Sequence, residues 1–336
     1  MKAFVVQNGF GFENLAIVEH PDPTPGPGQV VLRVRAASLN YRDLLIAKGL
    51  YNPKMALPRV LGSDGAGIVH AVGEGVTQWK PGDRAIGCFF QHWTSGPIDA
   101  IAAKSTLGGD RDGVFAEYVV LEEQGLVAMQ AGLSFEEAAT LPCAALTAWH
   151  ALSGANCGGG TTVLVQGTGG VSLFALQFAK ALGANVFITS SSDDKLKRAQ
   201  KLGAVTGTNY KTNPDWDKWA RQQTDGRGVD IAIEVGGAGT LERSAKAVRT
   251  GGHIELIGVL ACGSTFNPMN VLMKAVTLQG IFVGSRAMFE AMNRFITEKG
   301  IRPVIDRVFP IADGVAALQH LESGSHFGKV VVKVST

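Results

Sequence analysis

The chain has 336 residues, of which 46% are hydrophobic and 18% are charged, and its formal net charge is +2. This size and balance are typical of a globular protein with a large core and two domains, and the small net charge argues against a nucleic-acid partner. No apolar run reaches the ~18 residues that span a bilayer, and the N-terminus has no sustained apolar segment, so we expect neither a membrane partner nor a signal peptide.

The first third of the sequence is typical of a β-rich domain. Apolar and polar residues alternate in QVVLRVRAASL (29–39), and a connector rich in proline and glycine precedes this strand. Further strands are predicted in AGIVHAVG (66–73) and FAEYVVL (115–121), and a Pro-Gly turn begins KPGDRAIG (80–87). Short strands separated by turns predict a β-barrel-like domain.

From about Leu133 onward, helices alternate with strands. Residues 134–152 are predicted to be helical, with Ser134 and Glu137 spaced as a capping box. The strands predicted after it are TVLVQG (162–167), NVFITSS (185–191), VDIAIEVGG (229–237), GHIELIGV (252–259) and TLQGIFVG (277–284). The helices predicted between them are 172–183, 193–203 and 240–249. This alternation predicts an α/β fold with a doubly wound parallel sheet.

The end of the sequence returns to β structure. GKVVVKV (328–334) is predicted to be an isolated strand after a helix near 314–324. The doubly wound domain is therefore expected to interrupt the β-rich domain. We assign residues 1–125 with 288–336 to the β-rich domain and residues 126–287 to the doubly wound domain.

A glycine turn joins the first parallel strand to the next helix. Gly167 and Gly169 permit a tight turn and a close approach of the backbone to a pyrophosphate, and the helix beginning near Gly170 offers unpaired N–H groups. Ser172 stands where a third glycine would be. The pattern favours a dinucleotide, although a methyltransferase turn on a similar sheet stays open at this point. No Gly-Lys-Ser/Thr follows, which argues against a P-loop.

The tip of the second strand indicates which dinucleotide binds. An acidic residue there would bind the ribose hydroxyls of NAD, but this tip holds Ser190 and Ser191, and Lys195 follows within one turn. Small hydroxyls and a lysine suit a 2′-phosphate, so we expect NADP(H) in preference to NAD(H). Asp193 and Asp194 are alternatives for the ribose, but they fit better as the acidic first turn of a helix that Ser192 caps. The alternative is that Lys195 is an ordinary solvated lysine that does not contact a phosphate.

The four cysteines are scattered along the chain without a Cys-x-x-Cys pair. They are Cys88, Cys143, Cys157 and Cys262. This spacing argues against a disulfide framework and against a four-cysteine zinc knot, and we expect a reducing, cytoplasmic location.

Several motifs together resemble those of the medium-chain dehydrogenase/reductase superfamily. These motifs are SLNYRDLLIAKGLY (38–51), LPRVLGSDGAGIVHAVGEGVTQWKPGDRAIG (57–87), LPCAALTAWHAL (141–152) and the glycine turn. The resemblance covers nearly the whole chain and sets the methyltransferase alternative aside. It implies a GroES-like β-barrel catalytic domain, a Rossmann dinucleotide-binding domain, and a homodimer formed through the Rossmann domain.

The resemblance fails at the zinc ligands. Zinc alcohol dehydrogenases of this superfamily have a cysteine where this chain has Asn40, and a Gly-His-Glu run where it has Gly62, Ser63 and Asp64. Only Cys143 matches a ligand position. A catalytic zinc needs three protein ligands, and the structural zinc lobe needs four close cysteines, so we expect no metal at either site.

The residues resemble more closely those of the zinc-free branch similar to quinone oxidoreductases. That branch implies Asn40, Asp43 and Tyr51 as candidate catalytic residues, although a tyrosine common in it would align with Leu45. Asn40 and Tyr51 are expected to donate hydrogen bonds to a developing oxyanion, and Tyr51 to pass a proton. The alternative is that Asn40 only caps a loop and that Tyr51 only lines the core.

The resemblance also implies contacts with the dinucleotide, carried over position by position. They are Thr147 beside the nicotinamide; Gly167, Gly169, Gly170 and Val171 at the pyrophosphate; Ser190, Ser191, Lys195 and Tyr210 at the adenosine end; and, at the later strand ends, Val235, Gly236, Ile257, Gly258, Val259, Phe282, Val283 and Gly284.

The favoured function is NADPH-dependent, zinc-independent hydride transfer to a small-molecule quinone or α,β-unsaturated carbonyl compound. Two alternatives stay open. One is an alcohol dehydrogenase of the same superfamily with an atypical metal site, and the other is a non-catalytic dinucleotide-binding protein.

Overall fold

The computed structural model describes residues 1–258 and 266–335. The chain divides into two compact units: unit 1 comprises Met1–Leu146 with Val283–Thr336, and unit 2 comprises Thr147–Phe282. Over the described ranges, none of the helices combines the length and apolar character needed to cross a bilayer.

Strands and helices both occur in each part of the described chain. In chain order, the strands are β1 (Lys2–Val6), β2 (Leu15–Glu19), β3 (Gln29–Ser38), β4 (Arg59–Val60), β5 (Asp64–Val72), β6 (Arg84–Gly87), β7 (Tyr118–Glu122), β8 (Leu126–Ala128), β9 (Thr162–Gln166), β10 (Asn185–Ser190), β11 (Thr206–Asn209), β12 (Val229–Glu234), β13 (Val248–Leu256), β14 (Thr277–Gly280), β15 (Ile305–Pro310) and β16 (Lys329–Lys333). The helices are α1 (Tyr41–Ala47), α2 (Ala100–Ala103), α3 (Phe135–Ala138), α4 (Leu146–Gly154), α5 (Gly170–Ala181), α6 (Asp193–Leu202), α7 (Trp216–Gln222), α8 (Leu241–Ala247), α9 (Met269–Leu272), α10 (Arg286–Lys299) and α11 (Gly314–Glu322).

Unit 1 is built on β3, the long alternating strand. The main sheet has the order β15-β16-β3-β5-β6-β8, with β7 also paired to β3, and a smaller sheet has the order β2-β1-β4. Apolar side chains of these strands, among them Leu32, Val34, Leu121 and Val330, form one buried cluster. This confirms the predicted β-rich domain.

The C-terminal strand β16 corrects one prediction. It is not isolated, because it pairs in parallel with β15 and antiparallel with β3. The register places Val331 opposite Ser38. In an antiparallel pair this brings Lys329 to the end of β3, next to the start of α1. β15 and α10 were not predicted from the sequence.

Unit 2 is a six-stranded parallel sheet of order β11-β10-β9-β12-β13-β14. Counted within the unit, this order is third, second, first, fourth, fifth and sixth, which confirms the predicted doubly wound sheet. Every residue of β9 is buried, as expected of a central parallel strand covered on both faces. β14 is shorter than predicted, and the sequence analysis missed β11 and α7.

Two helix starts agree with their sequence signals. The Ser134 hydroxyl accepts a hydrogen bond from the Glu137 N–H, and Glu137 reciprocates in a capping box at α3. The Ser192 hydroxyl accepts from the Lys195 N–H at the start of α6. Asp193 and Asp194 therefore lie in the acidic first turn that the sequence predicted.

Candidate active site and dinucleotide site

The glycine turn of unit 2 begins where β9 ends. Gly167 has a φ of +72°, a left-handed conformation that is costly for a residue with a Cβ. Helix α5 begins at Gly170, with Val171 in its first turn, and within the described residues no side chain caps its Gly169 start. The first backbone N–H groups of α5 are therefore free to face a ligand, as a pyrophosphate site requires.

Ser172 occupies the position of the missing third glycine. It is buried, and its hydroxyl donates a hydrogen bond to the Gln166 carbonyl oxygen at 2.6 Å. The first turn of α5 is thereby tied to the last residue of β9. The small side chain keeps the close approach of helix and strand and adds a hydrogen bond that glycine cannot make.

Glu234, at the end of β12, organises the neighbouring strand ends. It is fully buried. Its carboxylate accepts hydrogen bonds from five groups: the N–H groups of Gly236 (2.8 Å) and Gly237 (3.0 Å), the hydroxyls of Thr240 (2.5 Å) and Ser244, and the Gln166 side-chain amide (2.8 Å). The carboxylate thus links the turn after β12 to the residue preceding the glycine turn. The sequence analysis missed Glu234, for which the available signal was a carboxylate at the end of an apolar strand.

The later strand ends carry the other predicted dinucleotide residues. Val235 and Gly236 follow β12, Ile257 and Gly258 follow β13, and Phe282 follows β14 by two residues. A Cβ on Gly258 would lie 1.6 Å from the Val235 carbonyl oxygen, so only glycine fits there.

The remaining predicted contacts are distributed as follows. Thr147 is buried in α4. Val283 and Gly284 belong to unit 1 by their contacts, and they follow β14 rather than end it. Val259 lies outside the described residues.

The tip of β10 holds the residues expected to choose between the two dinucleotides. Ser190 is buried and its hydroxyl accepts from the Ser192 N–H at 3.3 Å, whereas Ser191 and Lys195 are half-buried. Tyr210 follows β11 with 41% of its surface exposed. Asp193, the acidic alternative, accepts a hydrogen bond from the Asn209 side-chain amide at 2.9 Å.

The second acidic alternative is also engaged. Asp194 is exposed and lies 3.5 Å from the Lys197 ammonium. Both carboxylates therefore have partners on or beside α6, and the two serines and Lys195 also lie at the strand tip.

In unit 1, Asn40 is the N-cap residue of α1. Its backbone N–H donates to Asp43 Oδ2 at 2.7 Å. Asp43 is fully buried, and this burial raises the pKa of its carboxyl to about 6, although the Arg42 guanidinium acts in the opposite direction. Asp43 thus holds the start of α1, and the capping role weighed for Asn40 is present.

The Asn40 side chain belongs to a closed ring of polar groups. The Lys329 ammonium donates to Asn40 Oδ1 at 2.6 Å, and Asn40 Nδ2 donates to Ser63 Oγ at 3.4 Å. Ser63 Oγ donates to Asp64 Oδ1 at 2.6 Å, and Asp64 Oδ2 lies 3.9 Å from Lys329 Nζ. We call these four residues the Lys329 ring.

Lys329 is the member of this ring that the sequence analysis missed. Its side chain is only 3% exposed. A lysine inside an apolar strand was the available signal, because such a residue must find buried acceptors.

The donor set at the expected ligand positions does not suit zinc. Asn40 Oδ1 and Asp64 already face an ammonium, and Ser63 is a neutral hydroxyl. Cys143 is a possible zinc ligand by residue type, but one cysteine supplies only one of the three protein ligands that a catalytic zinc needs. Among the described residues, no group of three or more His, Cys, Asp or Glu side chains is arranged to hold a metal ion.

Tyr51 is not one of the four residues of the Lys329 ring, and 41% of its surface is exposed. The Arg42 guanidinium lies 5.7 Å from the centre of the Tyr51 ring and 4.3 Å from that of Phe89. Arg42 and Asp43 are adjacent in α1. The helix therefore contacts the Tyr51 ring through Arg42 and the backbone N–H of Asn40 through Asp43.

Two family models match this chain. The model described as alcohol dehydrogenase GroES-like domain matches residues 26–131, and the model described as zinc-binding dehydrogenase matches residues 170–298. A zinc-type alcohol dehydrogenase-like protein of Schizosaccharomyces pombe is 47% identical over 333 residues, with 96% of each chain covered.

Solved structures of two kinds are similar to this chain. An NAD-dependent alcohol dehydrogenase has a TM-score of 0.91 and 37% identity, with 100% of both chains covered. The quinone oxidoreductase of Escherichia coli complexed with NADPH has a TM-score of 0.85 and 25% identity, covering 99% of this chain and 100% of that one.

Proposed function

The chain belongs to the medium-chain dehydrogenase/reductase superfamily of oxidoreductases, and we propose that it is an NADPH-dependent, zinc-independent reductase of quinones or α,β-unsaturated carbonyl compounds. The observation that carries the proposal is the Lys329 ring. Where zinc alcohol dehydrogenases hold a metal, this chain has the Asn40 amide, the Ser63 hydroxyl and the Asp64 carboxylate arranged around an ammonium. Asn40 and Ser63 are poor zinc ligands, and Cys143 alone cannot hold the metal.

The chemistry available to such a site is carbon-directed reduction. A bound nicotinamide dinucleotide supplies the hydride. Without a Lewis acid, an alcohol is hard to ionise, whereas a quinone or an enone is already polarised toward hydride addition at carbon. The protein then has to stabilise the oxygen on which negative charge develops, and the Asn40 amide N–H is a donor suited to that task.

Proton transfer is assigned to Tyr51. Its phenol is partly exposed and carries an O–H, so it can donate to the reduced oxygen and be reprotonated from water. Tyr51→Phe is expected to lower kcat by about 10²-fold, the usual size of a general-acid contribution. Tyr41→Phe is the matched control, because Tyr41 is 39% exposed, about as much as Tyr51, and lies ten residues earlier at the start of α1. An equal effect of both substitutions would remove Tyr51 from the mechanism.

NADPH is proposed in preference to NADH because of the β10 tip. Ser190, Ser191 and Lys195 are the groups there, and Asp193 is engaged by Asn209. A 2′-phosphate would gain charge-assisted hydrogen bonds from this set.

The alternative function is alcohol oxidation. The name of the Schizosaccharomyces pombe relative favours it. Alcohol oxidation requires a metal or another means of ionising the alcohol, and the residues around Asn40 are unsuited to binding zinc.

The deciding experiment joins metal analysis to turnover. Purified protein is dialysed, its metal content is measured, and NADPH oxidation is followed with a panel of quinones and enones and, in the reverse direction, with alcohols. We expect less than stoichiometric zinc and turnover of quinones or enones that a chelator does not change. Stoichiometric zinc with chelator-sensitive alcohol oxidation would establish the alternative, and tight NADPH binding without any turnover would indicate a non-catalytic protein.

We further propose a homodimer formed through unit 2. The last strand of its sheet, β14, exposes Leu278 (38%), and Phe282 beyond it is 41% exposed. An apolar edge strand needs cover, and a second copy would supply it. Sedimentation should give a dimer for the unaltered protein and a monomer for Leu278→Lys, with Val205→Lys, at an exposed position in the same unit, as the control.

A further inference from the structure

We propose that Lys329 is a positioning residue that holds the Asn40 side-chain amide with its N–H2 group toward the substrate, so that this site accepts a carbonyl oxygen and refuses a hydroxyl hydrogen. The inference rests on the proposed function for its substrate class. Its first step, the orientation of the amide, stands on the contacts of the Lys329 ring alone.

The orientation of an asparagine amide follows from its partners. The nitrogen and oxygen have nearly the same shape, so hydrogen bonds decide which is which. An ammonium donates and never accepts. Because Lys329 Nζ lies 2.6 Å from one end of the Asn40 amide, that end is the oxygen.

Ser63 fixes the same orientation independently. Its hydroxyl donates to Asp64 Oδ1 at 2.6 Å, so the serine has no hydrogen left for Asn40. It can only accept, and the Asn40 atom at 3.4 Å is therefore the nitrogen. Two partners at opposite ends of the amide thus require the same orientation.

Lys329 itself does not serve as a proton donor. Its ammonium donates hydrogen bonds to the Leu39 carbonyl oxygen (2.7 Å) and Asn40 Oδ1 (2.6 Å), lies 3.9 Å from Asp64 Oδ2, and belongs to a side chain that is only 3% exposed. A buried ammonium bonded in this way acts by holding its acceptors in place. Its effect on the substrate therefore passes through Asn40.

The consequence is that Asn40 presents a donor to the substrate. The Asn40 oxygen is used by Lys329, one N–H of Nδ2 is directed at Ser63, and the second N–H is the group that a substrate can meet. A carbonyl oxygen accepts such a bond, and the enolate or quinol oxygen formed on reduction accepts it more strongly. An alcohol O–H has to donate as it is oxidised, and in this orientation the amide oxygen is directed at Lys329 and away from the substrate. The orientation therefore favours a carbonyl oxygen as the substrate group, in line with the proposed substrate class.

The test compares Lys329→Met with Lys333→Met, which removes an exposed lysine at the end of the same strand. If Lys329 holds a transition-state donor, kcat for enone or quinone reduction falls about 100-fold in Lys329→Met, as for loss of one oxyanion donor, while the Kd for NADPH stays within about twofold. Lys333→Met should match the unaltered protein. An unchanged kcat in folded Lys329→Met, or a loss confined to NADPH affinity, overturns the proposal.

A double-mutant cycle separates positioning from a general structural effect. In an Asn40→Ala background, Lys329→Met should produce no further loss of kcat, because there is no amide left to orient. Two independent, additive losses would contradict the proposal. Should Lys329→Met fail to fold because Asp64 is left as an unpaired buried charge, Lys329→Met/Asp64→Asn removes both charges and enters the same cycle.

The amide can also be observed without turnover. In protein labelled with ¹⁵N at asparagine, the Asn40 side-chain signals are identified by their absence in Asn40→Asp, and their hydrogen exchange is measured. We expect slow exchange in the unaltered protein and faster exchange in Lys329→Met. If the unaltered protein reduces no quinone or enone, the proposed function fails, whereas unchanged Asn40 exchange in Lys329→Met overturns the positioning role whatever the substrate is.

Discussion

The Ser172 hydroxyl donates a hydrogen bond to the Gln166 carbonyl oxygen at 2.6 Å, and this bond ties the first turn of α5 to the last residue of β9. Gln166 also donates its side-chain amide to Glu234, at the end of the adjacent strand β12. The strand ends around the glycine turn are therefore joined by side chains as well as by the sheet. A dinucleotide would meet a turn whose backbone is already held in place.

Ser172→Ala tests the value of this bond. The substitution leaves the Gln166 carbonyl without its donor, and we expect a loss of about 1 kcal/mol, which corresponds to about fivefold weaker NADPH binding if the turn loosens. Binding is measured by titrating NADPH fluorescence. Ser153→Ala is the control, because the hydroxyl of that exposed serine donates to carbonyls of its own helix. Unchanged affinity in Ser172→Ala would show that the turn keeps its shape without the bond.

Lys195→Ala tests the choice of dinucleotide. If the ammonium meets a 2′-phosphate, the substitution should weaken NADPH binding by roughly 1–3 kcal/mol and leave NADH binding unchanged. Lys197→Ala is the control, since that lysine is 73% exposed on the same helix. Equal affinity of the unaltered protein for both dinucleotides would contradict the interpretation of the β10 tip.

Glu234→Gln tests the carboxylate at the end of β12. Five donors converge on this side chain, and a glutamine would turn an N–H2 group toward some of them, so we expect a loss of about 2–3 kcal/mol in the free energy of unfolding. The free energy of unfolding is measured by urea denaturation. Glu242→Gln, on the partly exposed face of α8, should change stability little. Equal effects of the two substitutions would argue against a special role for Glu234.

Glu255 predicts a pH dependence of stability. Its carboxyl on β13 is fully buried, and this burial raises its pKa from 4.5 to about 7. Between these values the folded state keeps a proton that the unfolded state has lost, so the free energy of unfolding falls as pH rises from 4.5 to about 7 and this contribution is constant above. Glu255→Gln should remove that fall and be more stable above about pH 7, by about 3 kcal/mol at most.

The Glu255 experiment compares urea unfolding at several pH values across this interval. Glu298→Gln, which changes an exposed carboxylate on α10, should keep the slope of the unaltered protein. A slope that persists in Glu255→Gln would assign the titration to another group.

Local patterns predicted much of the fold because they are properties of short segments. Alternation with period two marked β3, the caps at Ser134 and Ser192 marked helix starts, and the glycine turn marked the junction of β9 and α5. Strands with few apolar residues were not predicted. β11 is Thr-Gly-Thr-Asn, which has no large apolar side chain, so its sequence shows no alternation of apolar and polar residues.

The candidate site was predictable only in part. Asn40, Asp43 and Tyr51 were proposed from the sequence because the motif that carries the resemblance holds all three, and they stay a prediction. Lys329 and Glu234 were missed. Their partners come from other strands, and the role of each depends on which atoms those strands bring within hydrogen-bond distance.

By itself, the sequence determined the alternation of strands and helices, the dinucleotide turn and the lack of histidine and cysteine at two expected ligand positions, since each of these depends on backbone geometry or side-chain chemistry within a short segment. Only the tertiary structure decided what stands at those positions instead. Lys329 lies 289 residues from Asn40 along the chain, and the pairing of β16 with β3 sets the register that joins them. A strand register is chosen by the packing of a whole sheet, so a contact that depends on it cannot be derived from either segment alone.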